Sequence, residues 1–342
     1  MEMSVSTSQV FPVWDPAAYA MAGPTDLIEL RPPPGGQPLL LEKASIETLV
    51  RAIVRGKALH VSGWTGTAKT SLIKAICLVP ENFCAVCEAL GFTVKPVRLF
   101  EIEMVTFETP GELLFRRALK ESSTYDEEST LVRALQAASQ ARESHYPVIW
   151  LKEIGRVHSA SIQGGLLNLM DPAEIVLWDG RRLDGRAIAW VADSNYQAER
   201  DATHVLVTFD EALQRRFVNH LTLDYLAPEQ EVEVVLRLAR EASIRVDEVD
   251  LVMRIIKLGQ VIRRHRADGT LQSLSPPTIP AYLEMLEMTQ ALPHWSLFQI
   301  AKATLLGNAS RDDQKLIPGV FNEVFGMPPA AEDDVLMGGN LF

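Results

Sequence analysis

The sequence predicts an α/β protein, a parallel sheet between helices, followed by a second domain that is entirely helical. Three observations predict it. From about residue 43, short apolar runs alternate with helical stretches, the pattern of a parallel sheet covered on both faces. The octapeptide Gly63-Trp64-Thr65-Gly66-Thr67-Ala68-Lys69-Thr70 stands between one such run and a helix with apolar spacing. From Pro228 onward the strand-like runs stop and helical periodicity takes over.

The expected strands are 58–62, 97–103, 147–151, 188–192 and roughly 218–223. In the second region Val232, Val235, Leu236 and Ala239 fall at i, i+3, i+4 and i+7, which makes one apolar helix face. Leu251 to Leu258 reads as a second helix, with Asp250 as N-cap and Gly259 as its stop. Residues 278–291 and 295–306 add two more helical candidates. The domain boundaries that follow are an irregular arm over 1–42, an α/β core over 43–225, a helical domain over 226–310 and an extension over 311–342. The arm is read as irregular because Phe11-Pro12-Val13-Trp14-Asp15-Pro16 and Arg31-Pro32-Pro33-Pro34-Gly35-Gly36 disfavour regular structure. Trp14 and Phe11 are candidate anchors, docking the arm on its own domain or on a neighbouring subunit. The stretch from Ala330 to Phe342 is acidic and then glycine-rich, and is expected to be flexible. Its terminal Asn340-Leu341-Phe342 reads as a frayed end or a short docking motif.

The octapeptide carries the chemistry. It has the spacing of a phosphate-binding P-loop, with Ala68 where the second glycine usually stands. Glycines let successive backbone N–H groups converge on phosphate oxygens, and the helix that follows adds the partial positive charge of its N-terminus. Gly63, Thr65, Gly66, Thr67, Ala68, Lys69, Thr70 and Ser71 are therefore the candidate nucleotide-binding residues. Lys69 reaches the β- and γ-phosphates, and the Thr70 hydroxyl ligates Mg²⁺. A methyl group at position 68 need not break this: it is tolerated if the backbone there is helical, since glycine is essential only where φ is positive. ATP is the expected ligand, although nothing in the loop separates ATP from GTP. A second strand, Val148-Ile149-Trp150-Leu151-Lys152-Glu153, supplies a glutamate placed to polarise an attacking water as general base. The position before it commonly holds an aspartate that helps to retain Mg²⁺. Lys152 stands there instead, and predicts weakened or altered metal binding.

Bulk composition narrows the classes. The chain has 342 residues, 47% apolar and 23% charged, with a formal net charge of −11. That charge argues against a mainly electrostatic binder of nucleic acid or membrane surfaces, and leaves room only for a local basic channel. No apolar run is long enough to span a bilayer, and the N-terminus lacks the charged and apolar regions of a signal peptide. Cys77, Cys84 and Cys87 are too few and too isolated from histidine for a metal site, and read as free thiols in a reducing cytoplasm.

Taken in order, the motifs resemble the MoxR-type and McrB-like branch of AAA+ ATPases over about residues 43–290. Gly63 to Thr70 looks like the Walker A of that branch, where alanine before lysine is frequent. Thr109-Pro110-Gly111-Glu112-Leu113-Leu114 and Leu131-Val132-Arg133-Ala134-Leu135 are similar to segments before its Walker B. Lys152-Glu153-Ile154-Gly155-Arg156 resembles D-E-I-N-R with the aspartate and asparagine replaced, and Gln163 to Met170 resembles the helix that follows. Ile175 to Leu183 looks like the hairpin before sensor 1. Trp190-Val191-Ala192-Asp193-Ser194-Asn195 ends at a match to sensor 1, and Phe209-Asp210-Glu211-Ala212-Leu213-Gln214-Arg215-Arg216-Phe217 resembles the arginine-finger segment.

The resemblance implies roles. Asn195 would hold the attacking water or touch the γ-phosphate, the alternative being a turn asparagine at a strand end. Arg216, or its neighbour Arg215, would reach the nucleotide of the adjoining subunit, which implies a homo-oligomeric ring, typically a hexamer. The helical domain would be the lid, and Ser275-Pro276-Pro277-Thr278-Ile279 places proline where a sensor-2 arginine is common. Three functions stay open. One is an ATP-driven remodeller of a protein client, with a von Willebrand factor A-domain protein as the partner the resemblance implies. Another is a nucleotide-gated scaffold that does not turn over. The third is a nucleic-acid motor of a defence system, with Arg181, Arg182 and Arg186 on the hairpin.

Overall fold

The computed structural model describes residues 10–34, 36–120, 123–171, 173–195, 210–307 and 309–326. The acidic tail with Asn340-Leu341-Phe342, the first nine residues and Phe209 lie outside them. The chain divides after Tyr225 into two compact units.

The first unit opens with a correction. The segment expected as an irregular arm folds into strands β1 (Val10–Pro12), β2 (Leu27–Leu30) and β3 (Leu39–Glu42), with helix α1 (Pro16–Met21) between the first two. β1 pairs parallel with β2, and β2 antiparallel with β3. Its prolines punctuate these elements. Pro12 ends a strand, and Pro16 occupies the first helical position, where no N–H is needed. Asp15 caps α1 by accepting from the N–H groups of Ala17 and Ala18, both at 3.1 Å. Leu27, Ile28 and Leu30 are fully buried, so the arm is part of the core. Phe11 packs against that core, whereas Trp14 is 41% exposed beneath the Arg31 guanidinium.

Helix α2 (Lys43–Val54) buries Ile46, Leu49, Val50 and Ile53 and leads into β4 (Leu59–Gly63). Helices α3 (Lys69–Cys77) and α4 (Pro80–Ala89) follow, then β5 (Val97–Glu103). An antiparallel hairpin, β6 (Phe115–Lys120) and β7 (Ser123–Glu128), precedes α5 (Thr130–Ala141) and β8 (Tyr146–Lys152). Then come α6 (Ala160–Leu169), a second hairpin of β9 (Glu174–Val176) and β10 (Arg182–Asp184), β11 (Ala189–Asn195), α7 (Glu211–Arg216) and β12 (Asn219–Leu223). β12, β4, β11, β8 and β5 form one parallel sheet in that order. This is the expected α/β class, and each of the five strands falls on a predicted run.

Side chains alternate across the sheet. Leu59, Val61, Val148, Trp150 and Val191 meet α2 and α3 on one face. Ile149, Leu151, Trp190 and Ala192 meet α5 and α6 on the other. The first hairpin was invisible in the sequence because its strands, Phe-Arg-Arg-Ala-Leu-Lys and Ser-Thr-Tyr-Asp-Glu-Glu, carry no apolar alternation.

The second unit is all helical: α8 (Pro228–Glu241), α9 (Val249–Ala267), α10 (Ile279–Ala291), α11 (Leu297–Ala301) continued by a π-turn to Leu306, and α12 (Arg311–Phe325). Two expectations change here. α9 starts at Val249, with Asp250 inside its first turn, and runs through Gly259 to Ala267 instead of stopping there. Residues 311–325, set apart as an extension, form α12, which packs on α9. Asp313 fixes its start by accepting from the N–H groups of Gln272, Ser273 and Leu274. Among the described residues, no single helix is long and apolar enough to cross a membrane.

Candidate phosphate-binding site

The loop after β4 is built to leave its backbone open. Gly63 ends the strand, and an added Cβ there would run into the carbonyl of Leu223 on β12. Gly66 holds φ at 84°, in the left-handed region that glycine adopts without steric cost. Thr65 and Gly66 are exposed, while Thr67 is buried and donates its hydroxyl to the Trp64 carbonyl at 2.9 Å. Tyr225, just beyond β12, braces the outside of the loop by donating to the Thr65 carbonyl at 3.0 Å.

Ala68 does not meet the condition under which a methyl group is free of strain. Its φ and ψ are 63° and 21°, left-handed and not helical, so the methyl group sits where glycine is favoured. The following helix imposes this. For α3 to begin at Lys69 with its N–H groups turned back toward the loop, the chain must reverse at residue 68.

Lys69 is buried, with only 6% of its surface exposed. Its ammonium donates to the carbonyls of Gly63 at 3.0 Å and Trp64 at 2.6 Å, folded along the loop it would leave to meet phosphate. Burial lowers its pKa to about 8, and the carboxylates of Asp193 and Glu153 oppose that shift. Thr70 and Ser71 are exposed in the first turn of α3, which carries no acidic side chain to compete for an anion. A cradle of this kind fits a polyphosphate. The hard oxygen of Thr70 beside it fits the Mg²⁺ that such a ligand carries.

Glu153 directly follows β8, two strands away from β4 in the sheet. Its backbone is also left-handed (φ 53°, ψ 48°), which turns the side chain out of the strand line at its carboxyl end. The carboxylate is held by Arg156 Nη1 at 3.1 Å. β11 lies between β8 and β4, and its last residue, Asn195, is in register with Gly63. Gly63, Lys69, Glu153 and Asn195 thus gather at one edge of the sheet, beyond the carboxyl ends of parallel strands where ligands of open α/β sheets bind.

Lys152 is turned away from the phosphate loop. Its ammonium is paired with Glu103 and, at 3.3 Å, with Glu101, and lies over the Trp150 ring. Both glutamates belong to β5, on the side of β8 away from β4. Its charge is answered there and is not presented to the phosphate loop.

Arg215 and Arg216 stand apart from this cluster. Both are exposed at the end of α7, which Asp210 caps by accepting from the Leu213 N–H at 3.0 Å. Arg215 is drawn back to Glu211 at 2.7 Å. The buried Phe217 behind them anchors the helix, so the guanidinium groups face outward.

One residue was passed over in the sequence. Asp193, two positions before Asn195, is 6% exposed, accepts from Trp150 Nε1 at 2.6 Å and faces Lys69 electrostatically. The signal was present: an aspartate closing the apolar run from Ala189 to Ala192 is costly to bury without a purpose. The three cysteines are free, and burial pushes the Cys87 thiol up to about 12, far from thiolate chemistry at neutral pH.

No protein-family model and no curated protein matches the chain. Solved structures do. A candidate ATPase of Cytophaga hutchinsonii is 16% identical over 82% of this chain and 89% of its own, with a TM-score of 0.37. NtrX of Brucella abortus, in complex with ADP, is 15% identical over 87% of this chain, which spans 57% of that protein, with a TM-score of 0.44. A point variant of RuvB from Thermotoga maritima is 14% identical over 87% of this chain and 82% of its own, with a TM-score of 0.42. At these scores the likeness is distant, and the function rests on the geometry of the site.

Proposed function

We propose that this chain is an AAA+ ATPase of the MoxR-type or McrB-like branch, which forms a ring and couples ATP binding and hydrolysis to remodelling a protein partner. The observation that carries the ATPase reading is the placement of Lys69, Glu153 and Asn195 at the carboxyl ends of three adjacent parallel strands or the turns directly after them. The branch, the ring and the protein client are supported by the order of motifs from Gly63 to Phe217.

In this reading the loop N–H groups and the Lys69 ammonium bind the β- and γ-phosphates, and Lys69 leaves the carbonyls of Gly63 and Trp64 to do so. Thr70 would hold Mg²⁺, which would supply charge neutralisation to the bound nucleotide. Glu153 takes the proton of the attacking water once its carboxylate is released from Arg156. Asn195 orients that water. Arg216, or Arg215, reaches the site of the neighbouring subunit and answers charge that develops on the transferring phosphoryl group.

The Glu153–Arg156 pair also favours a second reading, a nucleotide-gated scaffold whose base stays sequestered. Steady-state hydrolysis with Mg²⁺ separates the two. Turnover in wild type that falls by about 10²-fold or more in Glu153→Gln, with ATP still bound, supports the motor. A wild type that binds ATP and does not turn it over supports the scaffold, and loss of all nucleotide binding only in Lys69→Ala is expected under both. The nucleic-acid reading loses support, because Arg181, Arg182 and Arg186 are each paired with hairpin carboxylates at Asp179, Glu174 and Asp184.

A further inference from the structure

The register of the central sheet places four residues in one row on the face that α3 covers. Val61 on β4 lies opposite Asp193 on β11. Asp193 follows Ala192, which pairs with Leu151, so it stands across from Lys152 on β8. Lys152 in turn pairs with Glu103 on β5. Residues in register on parallel strands point to the same face, and Val61, Val191 and Trp150 fix which face that is.

The charges in this row are sorted. Lys152 is committed to Glu103 and Glu101, away from the phosphate loop. Asp193 sits one strand nearer to β4, buried, and coupled to Lys69. Its carboxylate accepts from the Trp150 indole and from the Glu153 backbone N–H, both of which also fix its direction. A buried carboxylate with two neutral donors and one lysine already engaged by loop carbonyls still has accepting capacity, since each ionised oxygen offers two lone pairs.

Resting on the ATPase reading above, we propose that Asp193 is the metal-side carboxylate of the nucleotide site, taking over from the neighbouring strand the role that Lys152 cannot fill. Thr70 and Asp193 would then hold the Mg²⁺ that accompanies the nucleotide. Lys152, in the same row, is neutralised by Glu101 and Glu103 on β5. Trp150 and the Glu153 N–H position the carboxylate, which links the metal to the segment carrying the general base.

The test measures metal binding without catalysis. The full chain is loaded with a non-hydrolysable ATP analogue, and Mn²⁺ affinity is read by electron paramagnetic resonance for wild type and Asp193→Asn. The amide keeps the shape and one accepting oxygen, enough for Trp150, and removes the charge together with the second accepting oxygen. Mn²⁺ affinity is expected to fall about 10- to 100-fold in the variant, with analogue binding in EDTA unchanged. Unchanged Mn²⁺ affinity overturns the proposal. So does an equal loss of analogue binding in EDTA, which would make Asp193 a support of the loop. A second measurement uses the intact wild type. The Trp150 indole N–H resonance, assigned with Trp150→Phe, is expected to shift when Mg²⁺ is added to the analogue-loaded protein, and a resonance that stays in place at saturation also overturns the proposal. A wild type that binds no analogue under any condition would instead bring down the ATPase reading itself.

Discussion

Ala68 shows how a single residue records the demands of its neighbours. A left-handed alanine costs about 1 kcal/mol relative to glycine, and the cost persists here because α3 must begin at Lys69 with free N–H groups. Ala68→Gly is therefore expected to stabilise the protein by about 0.5–1 kcal/mol in urea unfolding while leaving nucleotide affinity intact. A variant no more stable than wild type would mean that the alanine methyl makes packing contacts worth as much as the strain. The loop was legible in the sequence because its residue types follow from phosphate chemistry. The backbone at position 68 was not, since alanine is normally evidence for helical φ and only the direction of the following helix reverses that inference. The partners of Lys152 were hidden for a related reason: its position in the strand was readable, but Glu101 and Glu103 on β5 lie far away in the chain and nothing local announces them.

At the scale of elements, contacts between neighbours decided what periodicity could not. Gly259 reads as a helix stop, yet α9 passes through it, because the phenol of Tyr282 on α10 occupies the space a side chain would need. That phenol also accepts from Arg263 Nη2 at 3.1 Å, and Arg263 is paired with the buried Glu231 on α8. Gly259→Ala should consequently cost about 1–3 kcal/mol by forcing Tyr282 out of place, read as a lower urea midpoint at constant slope; a neutral result would show that the two helices can part freely. Across the sheet, His60 on β4 contacts Ser194 Oγ on β11 at 2.8 Å and the ring of His220 on β12. Burial first, and then His220, lower its pKa from 6.5 to about 4. The unfolded chain therefore takes up a proton that the folded chain refuses. The stability associated with neutral His60 is complete above pH 6.5 and is lost as pH falls through the window from 6.5 to 4, by about 2–3 kcal/mol. Removing the titration with His60→Gln should flatten the acid limb of stability measured over that window, and an unchanged limb would place the loss in other groups.

For the whole molecule, the predicted strands and the helical second region show that alternation of apolar runs and helices is enough to reveal class. The N-terminal sheet was hidden because prolines that normally break elements here mark their ends, and because Leu27, Ile28 and Leu30 gain their meaning only from the core they enter. Assembly is legible in neither way, since an arginine finger has no partner within its own subunit. On α7, Arg215 is paired with Glu211, while Arg216 is exposed, within electrostatic reach of Asp171, on a helix capped by Asp210 and anchored by Phe217. In a head-to-tail ring each site takes its P-loop from one subunit and its arginine from the next. Arg216→Ala alone should then bind nucleotide normally and lose turnover by about 10³-fold, while Lys69→Ala alone should not bind at all. Mixed in equal amounts under assembling conditions, the two inactive proteins should recover activity, because about a quarter of the interfaces in a random ring join an intact P-loop to an intact Arg216. Activity in the mixture that exceeds the sum of the separate proteins, and grows with total concentration, would establish that the arginine acts across a subunit boundary. A mixture as silent as its components would confine each site to one chain, and Arg216 would then be a surface charge with no part in hydrolysis.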